Sequence, residues 1–297
     1  MTEDEIKQYL HFDVQYESVM AMPNFIVDEL IKLTKSKAIK STHIGFTWTF
    51  LYIETWFYRY AKYSKVIPTY AYIKKLLGYS PTNQRLDYII KKDGLLDSMN
   101  LTITTNDFPI NISWIDGLAI DTLSEFDKDY IIKFRESNNI SISQVCKYPV
   151  FAFDREMEGG TFYDSSNTTL VDFNVFAFCM SKDDLGCTAF YLYNLIKHKN
   201  DILSSYDATY SRISNESGLS TRTVQRYMEN MRGYKMINTI HNMDCFSPSV
   251  NKDERLASSH FINEYEQFSH IKVEYDKMKF SNNIKNENIN VAEYDLF

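Results

Sequence analysis

Between residues 43 and 63 apolar and aromatic side chains follow one another almost without a break: Phe46, Trp48, Phe50, Leu51, Tyr52, Trp56, Phe57, Tyr58, Tyr60 and Tyr63. This predicts a helix buried on more than one side, since no continuous polar face is left for water. Ahead of it, Phe25, Ile26, Leu30, Ile31 and Leu33 form an amphipathic stripe that Met22-Pro23-Asn24 can open. The basic run Lys32, Lys35, Lys37 and Lys40 follows as a solvated or phosphate-facing edge. After Pro68 the spacing predicts a helix over 70–77 closed by Gly78, then a third from Ser80-Pro81 to Lys92, stopped at Gly94. Residues 101–105 and 110–114 alternate like two strands joined by a turn at Asn106-Asp107.

The middle of the chain is less regular. Residues 123–135 predict a charged amphipathic helix, 149–153 and 161–163 two strands around Gly159-Gly160, and 171–179 a further apolar segment. Then an ordered pattern returns, with helices over 185–197, 206–217 and 221–232, a strand over 236–240 and a turn at Asn242-Met243-Asp244. Beyond Pro248 the chain turns polar, with a helix over 264–278 as the one element expected there and a mobile tail around 281–290.

The two ordered stretches repeat one another. Ile44-Gly45-Phe46-Thr47 matches Leu185-Gly186-Cys187-Thr188, and Leu51-Tyr52 matches Leu192-Tyr193. Thr69-Tyr70, Ile73, Gly78 and Ser80 match Thr209-Tyr210, Ile213, Gly218 and Ser220 one residue out of phase, and Gln84-Arg85 returns to phase with Gln225-Arg226. Helix, helix, helix, hairpin is the order of a winged helix, so the pattern predicts two of them in a mainly α fold with small β-hairpins (α+β). The segments are 1–40, an N-terminal arm and helix; 41–115, the first unit; 116–182, a mixed connecting segment; 183–250, the second unit; and 251–297, the polar tail.

The sharpest local signal is Tyr210-Ser211-Arg212-Ile213-Ser214-Asn215-Glu216-Ser217-Gly218-Leu219-Ser220-Thr221-Arg222-Thr223-Val224-Gln225-Arg226-Tyr227. Gly218 supplies the positive φ of a sharp turn between helices. Leu219 fills the angle and Ser220 caps the next helix. Val224, Met228 and Met231 recur at helical spacing as its inner face, which leaves Thr221, Arg222, Thr223, Gln225 and Arg226 near its start to meet base edges. Arg212, Arg232 and Lys235 are the expected phosphate contacts, with Ser220 beside them at the helix start. In the first unit Lys74, Lys75, Thr82, Arg85 and Lys92 are the equivalent candidates.

Composition adjusts this picture rather than making it. The net charge of −7 argues against a protein that grips many phosphates, yet the field at the contact face is what counts. Within 212–235 five cations stand against two anions, and the first unit has the same excess. The four cysteines (Cys146, Cys179, Cys187, Cys245) have no CxxC spacing, and the six histidines have no ligand spacing, so neither metal nor cofactor is expected. P-loop, GxGxxG, GxSxG and HExxH patterns are absent, and Asp154-Arg155-Glu156 with Glu158 reads as an exposed turn, so binding without catalysis or a small-molecule substrate is expected. An acidic start (Met1-Thr2-Glu3-Asp4-Glu5) and no apolar run near ~20 residues point to a cytoplasmic protein without a membrane segment.

The stretch around Gly218 to Tyr227 resembles the helix-turn-helix of bacterial winged-helix proteins, whose motif reads glycine, apolar, serine, then Arg-Thr-Val. The first unit, from Met22-Pro23 through Leu77-Gly78-Tyr79-Ser80 to Gly94-Leu95-Leu96, is similar to the N-terminal winged helix of replication initiators from low-GC Gram-positive plasmids and phages. Tyr79 and Pro81 depart from the commoner Ser-Arg-Thr pattern. The resemblance implies double-stranded DNA as partner and a replication initiator-like function. A transcriptional regulator of a mobile element and a winged-helix adaptor for other proteins stand beside it. For the first unit, the alternative to DNA contact is a homodimer through helix 43–63.

Overall fold

The structure, a computed structural model, describes residues 1–66, 68–113, 118–141, 143–153, 162–243, 245–246, 255–280 and 292–293. It is mainly α-helical with small, mostly antiparallel sheets. The helices are α1 (Glu3–Tyr9), α2 (Phe25–Lys35), α3 (Ile44–Arg59), α4 (Tyr70–Leu76), α5 (Asp87–Ile90), α6 (Leu95–Ser98), α7 (Lys128–Ser137), α8 (Val150–Phe153), α9 (Phe173–Ser181), α10 (Gly186–Ile202), α11 (Tyr210–Ser217) and α12 (Thr221–Gly233). The strands are β1 (Val19–Pro23), β2 (Thr102–Thr105), β3 (Pro109–Ser113), β4 (Ala119–Thr122), β5 (Cys146–Pro149), β6 (Thr168–Asp172), β7 (Tyr206–Asp207), β8 (Ile237–Ile240), β9 (Cys245–Phe246), β10 (Ser259–Ile262), β11 (Lys279–Phe280) and β12 (Ala292–Glu293). Two compact units emerge, Met1–Leu30 with His43–Tyr191, and Ile31–Thr42 with Leu192–Phe297. Among the described residues no helix is long and apolar enough to cross a membrane.

In the first unit α3 is the central element, and every residue from Ile44 to Tyr58 is buried. Its partners come from far along the chain. Trp48 meets the rings of Phe190 and Tyr191 at 5.4 and 6.0 Å, and Trp56 stacks on Phe173 at 4.8 Å. Gly45 lets the chain at Thr188 come so close that an added Cβ would stand 2.9 Å from the Thr188 Cα. The threonines tolerate burial because Thr47, Thr49 and Thr55 donate their hydroxyls to the carbonyls of His43, Gly45 and Leu51 one turn back. The helix ends at Arg59 instead of running to Tyr63, and from Ile44 to Tyr58 it is covered within the chain.

Other expectations for this unit change too. Strands form at 102–105 and 109–113, but they do not pair with each other. β2 pairs antiparallel with β5, with Thr102 opposite Pro149, while β3 pairs with β4. The return strand of the sheet thus comes from residues 146–149, in the segment expected to be a connector. The third helix does not run from Ser80 to Lys92. Residues 80–83 make a turn closed by the Asn83 amide on the Ser80 carbonyl, Asn83 caps a short 3-10 turn, and α5 follows for four residues before Lys91 is extended. Phe162 and Tyr163 lie in a turn, and 150–153 is helical, where strands were expected. Trp114, Thr161, Gly159-Gly160 and the Asp154–Glu158 acids lie outside the described residues, as do 281–290. The sequence reading missed α1, whose Thr2–Glu5 capping box is a readable start signal, and β1, which pairs with β6.

Against α3 lies a buried polar cluster. The Glu54 carboxylate accepts from the Tyr63 hydroxyl at 3.1 Å and from the Lys147 backbone amide. The Lys147 ammonium, itself fully buried, donates to Asp97 at 2.7 Å, Thr104 at 2.8 Å and the Lys91 carbonyl at 3.2 Å. Asp97 also accepts from the Thr102 and Thr104 hydroxyls at 2.6 Å each. The network fixes β2 and β5 to α6 and α3, and it leaves the Lys147 charge paired, without which burial would be costly.

Burial pushes the Glu54 carboxyl up to about 8, more than the Tyr63 hydrogen bond and the nearby Lys147 charge pull it down. The folded chain therefore holds this proton across a range where the unfolded chain has released it. Stability from Glu54 is full below the ordinary carboxylate range and declines as pH rises towards about 8. In thermal denaturation at pH 5 and pH 8, Glu54→Gln is expected to lose less stability on going to pH 8 than the wild type. Equal losses in both proteins would assign the slope to other groups.

Candidate nucleic-acid interface

From Leu192 on, the second unit runs helix, strand, helix, helix, strand, strand, through the later part of α10, then β7, α11, α12, β8 and β10. Its three-stranded sheet has the order β7-β10-β8, so the last strand lies between the first and the second. Ser259 sits opposite both Asp207 and Ile240. β7 falls where a helix over 206–217 is predicted, and β10 falls in the stretch expected to be a polar tail. Asn242 and Met243 follow β8 as expected of the turn, while Asp244 lies outside the described residues. Residues 264–278 are not a helix. Only a 3-10 turn forms at Tyr265–Gln267. The segment after it runs along the end of α12, with Ser269 N–H on the Tyr234 carbonyl and Val273 N–H on that of Gly233.

The turn between α11 and α12 is built as its residues dictate. Thr209 caps α11, Gly218 ends it at φ 71°, and Leu219 is buried beneath. Ser220 accepts from the Thr223 amide at 3.2 Å and so starts α12. Val224, Met228 and Met231 have no solvent exposure, which fixes the rotation of the helix.

That rotation leaves Thr221, Arg222 and Arg226 exposed and Thr223 and Gln225 half-buried at the edge. Among the described residues no ion pair or hydrogen bond holds the Arg222 guanidinium. The Arg226 guanidinium lies 4.8 Å from the centre of the Tyr227 ring. Gln225 donates to Glu229 at 2.8 Å, and Arg212, though exposed, pairs with Glu216 at 2.7 Å and donates to the Asp207 carbonyl. Lys235 is exposed.

Arg232 is a correction. It is buried, donating to the Asp276 carbonyl with its guanidinium 4.3 Å from the Tyr275 ring centre, so it fastens the 269–278 segment instead of facing outward. Lys74 is a second: it is buried and paired with Asp87, joining α4 to α5. Lys75, in the last turn of α4, and Thr82, Arg85 and Lys92, on either side of the short α5, are exposed, with no recognition-length helix to carry them.

Two supporting residues escaped the sequence reading. Asn200 of α10 donates to the His260 carbonyl and accepts from the Ile262 amide, holding β10 by both backbone groups. The His260 ring spans the sheet, with Nε2 at 3.0 Å from the Ala208 carbonyl and Nδ1 at 3.0 Å from the Thr239 hydroxyl. A carbonyl can only accept, so Nε2 carries the proton and Nδ1 takes the Thr239 hydrogen. The only advance signal was the brief apolar pair Phe261-Ile262.

No protein-family model, curated protein or solved structure matches this chain.

Ser220→Ala is expected to cost about 1 kcal/mol by loss of the cap, and Gly218→Ala about 1–2 kcal/mol from its positive φ, both read as lowered Tm. Burial pushes the His260 imidazole down to about 4. Its contribution is full above the ordinary histidine range and is lost as pH falls towards about 4. An NMR titration should find this ring neutral at pH 5.5; a protonated ring there would contradict the hydrogen-bond pattern.

Proposed function

We propose that residues 186–262 act as a winged helix-turn-helix that binds double-stranded DNA, in a cytoplasmic protein that binds without catalysing a reaction. The observation that carries this is the exposed start of α12. Thr221, Arg222 and Arg226 stand on the side opposite the buried Val224, Met228 and Met231, directly after a glycine turn and a serine cap. In the proposed complex this end enters the major groove, Arg222 and Arg226 read guanine edges, and Thr223 and Gln225 contact neighbouring bases or phosphates. Arg212 and Lys235 approach the backbone. In the first unit, Thr82, Arg85 and Lys92 are the candidates for backbone contact.

Within this reading the protein is replication initiator-like, an assignment supported by the resemblance of its first unit alone. The regulator alternative differs in its target, a palindrome over a promoter in place of repeats at an origin.

The test is a fluorescence-anisotropy titration against duplex from the gene's own upstream region at two salt concentrations. Arg222→Ala/Arg226→Ala is expected to weaken binding at least about 10-fold and to relax base preference, and Arg212→Ala/Lys235→Ala to lower the salt slope by about 2. Arg232→Ala is expected to lower Tm and leave the salt slope alone. Binding no tighter than to an unrelated duplex, or indifferent to Arg222→Ala/Arg226→Ala, would sink the proposal and favour a protein-binding adaptor.

A further inference from the structure

An open groove of about 800 Å³ lies in the first unit, lined by residues of α1, the turn before α4, and α4 itself. That volume falls within the range of ligand-binding clefts. Its floor is aromatic. Tyr9 and Tyr72 stack with ring centres 4.6 Å apart and planes inclined by 13°, and Tyr9 remains 43% exposed while Tyr72 is half-buried. Near-parallel rings with one member open to solvent are a platform on which a third planar ring can stack.

The rim supplies charge and hydrogen bonding. Lys65 and Lys75 are both exposed, and among the described residues neither makes an ion pair or a side-chain hydrogen bond. Gln8 and His11 add polar groups. Glu5, the carboxylate among the described lining residues, accepts from the Thr2 amide at 2.8 Å in the α1 capping box. Two unpaired ammonium groups beside an exposed aromatic stack call for a ligand that is both planar and anionic. The groove is open to solvent rather than enclosed, which suits a chain lying across it better than a buried small molecule.

We propose that this groove binds single-stranded DNA, with an unpaired base stacked on Tyr9 and the flanking phosphates on Lys65 and Lys75. Duplex cannot use the platform, because its bases are already stacked and paired. The site is separate from the duplex-binding face proposed above and does not depend on it.

The experiment is an anisotropy titration of the full chain with fluorescein-labelled oligo-dT of about twelve nucleotides, a length within the span of known single-strand sites. Tyr9→Ala is expected to weaken binding about 10-fold, in the range measured for base–aromatic stacking, while Tyr9→Phe retains it. Lys65→Ala/Lys75→Ala is expected to weaken binding and flatten its salt dependence. The lysine pair leaves the ring stack intact, so it keeps the test alive if Tyr9→Ala disturbs α1. Arg222→Ala/Arg226→Ala is expected to leave oligo-dT binding unchanged, which separates failure here from failure of the duplex reading. The proposal is overturned if oligo-dT does not bind, or if it binds equally to wild type and to both the Tyr9→Ala and lysine variants. It is also overturned if dTMP competes as well as the oligonucleotide, which would make the groove a free-nucleotide site.

Discussion

A sixteen-residue helix with no face for water constrains everything around it. α3 is covered only when rings from Phe173, Phe190 and Tyr191 reach it, along with β5 and its buried lysine. The sequence neighbours of α3 cannot cover it alone, so the chain must return from far downstream. The small sheets follow from that return: β1 meets β6, and β2 meets β5, each across a long separation. The buried polar groups respect the same constraint. Threonine hydroxyls turn back on their own helix, and Glu54 takes donors from Tyr63 and Lys147.

Local physics was legible in the sequence wherever it alone decides the structure. Gly218, Ser220 and the Val224-Met228-Met231 spacing read correctly because turn geometry, capping and helical period are properties of adjacent residues. Helices over 44–59, 70–76 and 186–202 were foreseeable from apolar pattern for the same reason. Pairing was not. The alternation of 101–105 and 110–114 announces strands without naming partners, and the nearest partner was the wrong one. β10 was hidden because a four-residue strand in the middle of a sheet carries little pattern of its own.

The candidate site shows a finer version of the same limit. A count of cations cannot distinguish Arg222 from Arg232, though helical spacing can. Arg232 follows Met228 by four residues and so falls on the buried stripe, where it serves the 269–278 segment. Lys74 adjoins Ile73 and is spent on Asp87. Two of the fourteen expected contact residues were thus structural cations. Of the others, Thr221, Arg222 and Arg226 cluster at the exposed start of α12.

The central place of β10 has a consequence for the order in which the protein can be made. Strand β7 has no partner until residues 259–262 exist, because β10 separates it from β8. The first unit is in the same position, since β1 near the amino terminus waits for 168–172. On the ribosome, neither unit closes its sheet as its early segments emerge, and the aromatic surface of α3 is exposed to the cell until its late partners arrive. For this chain, the pace of translation sets how long that surface stays open.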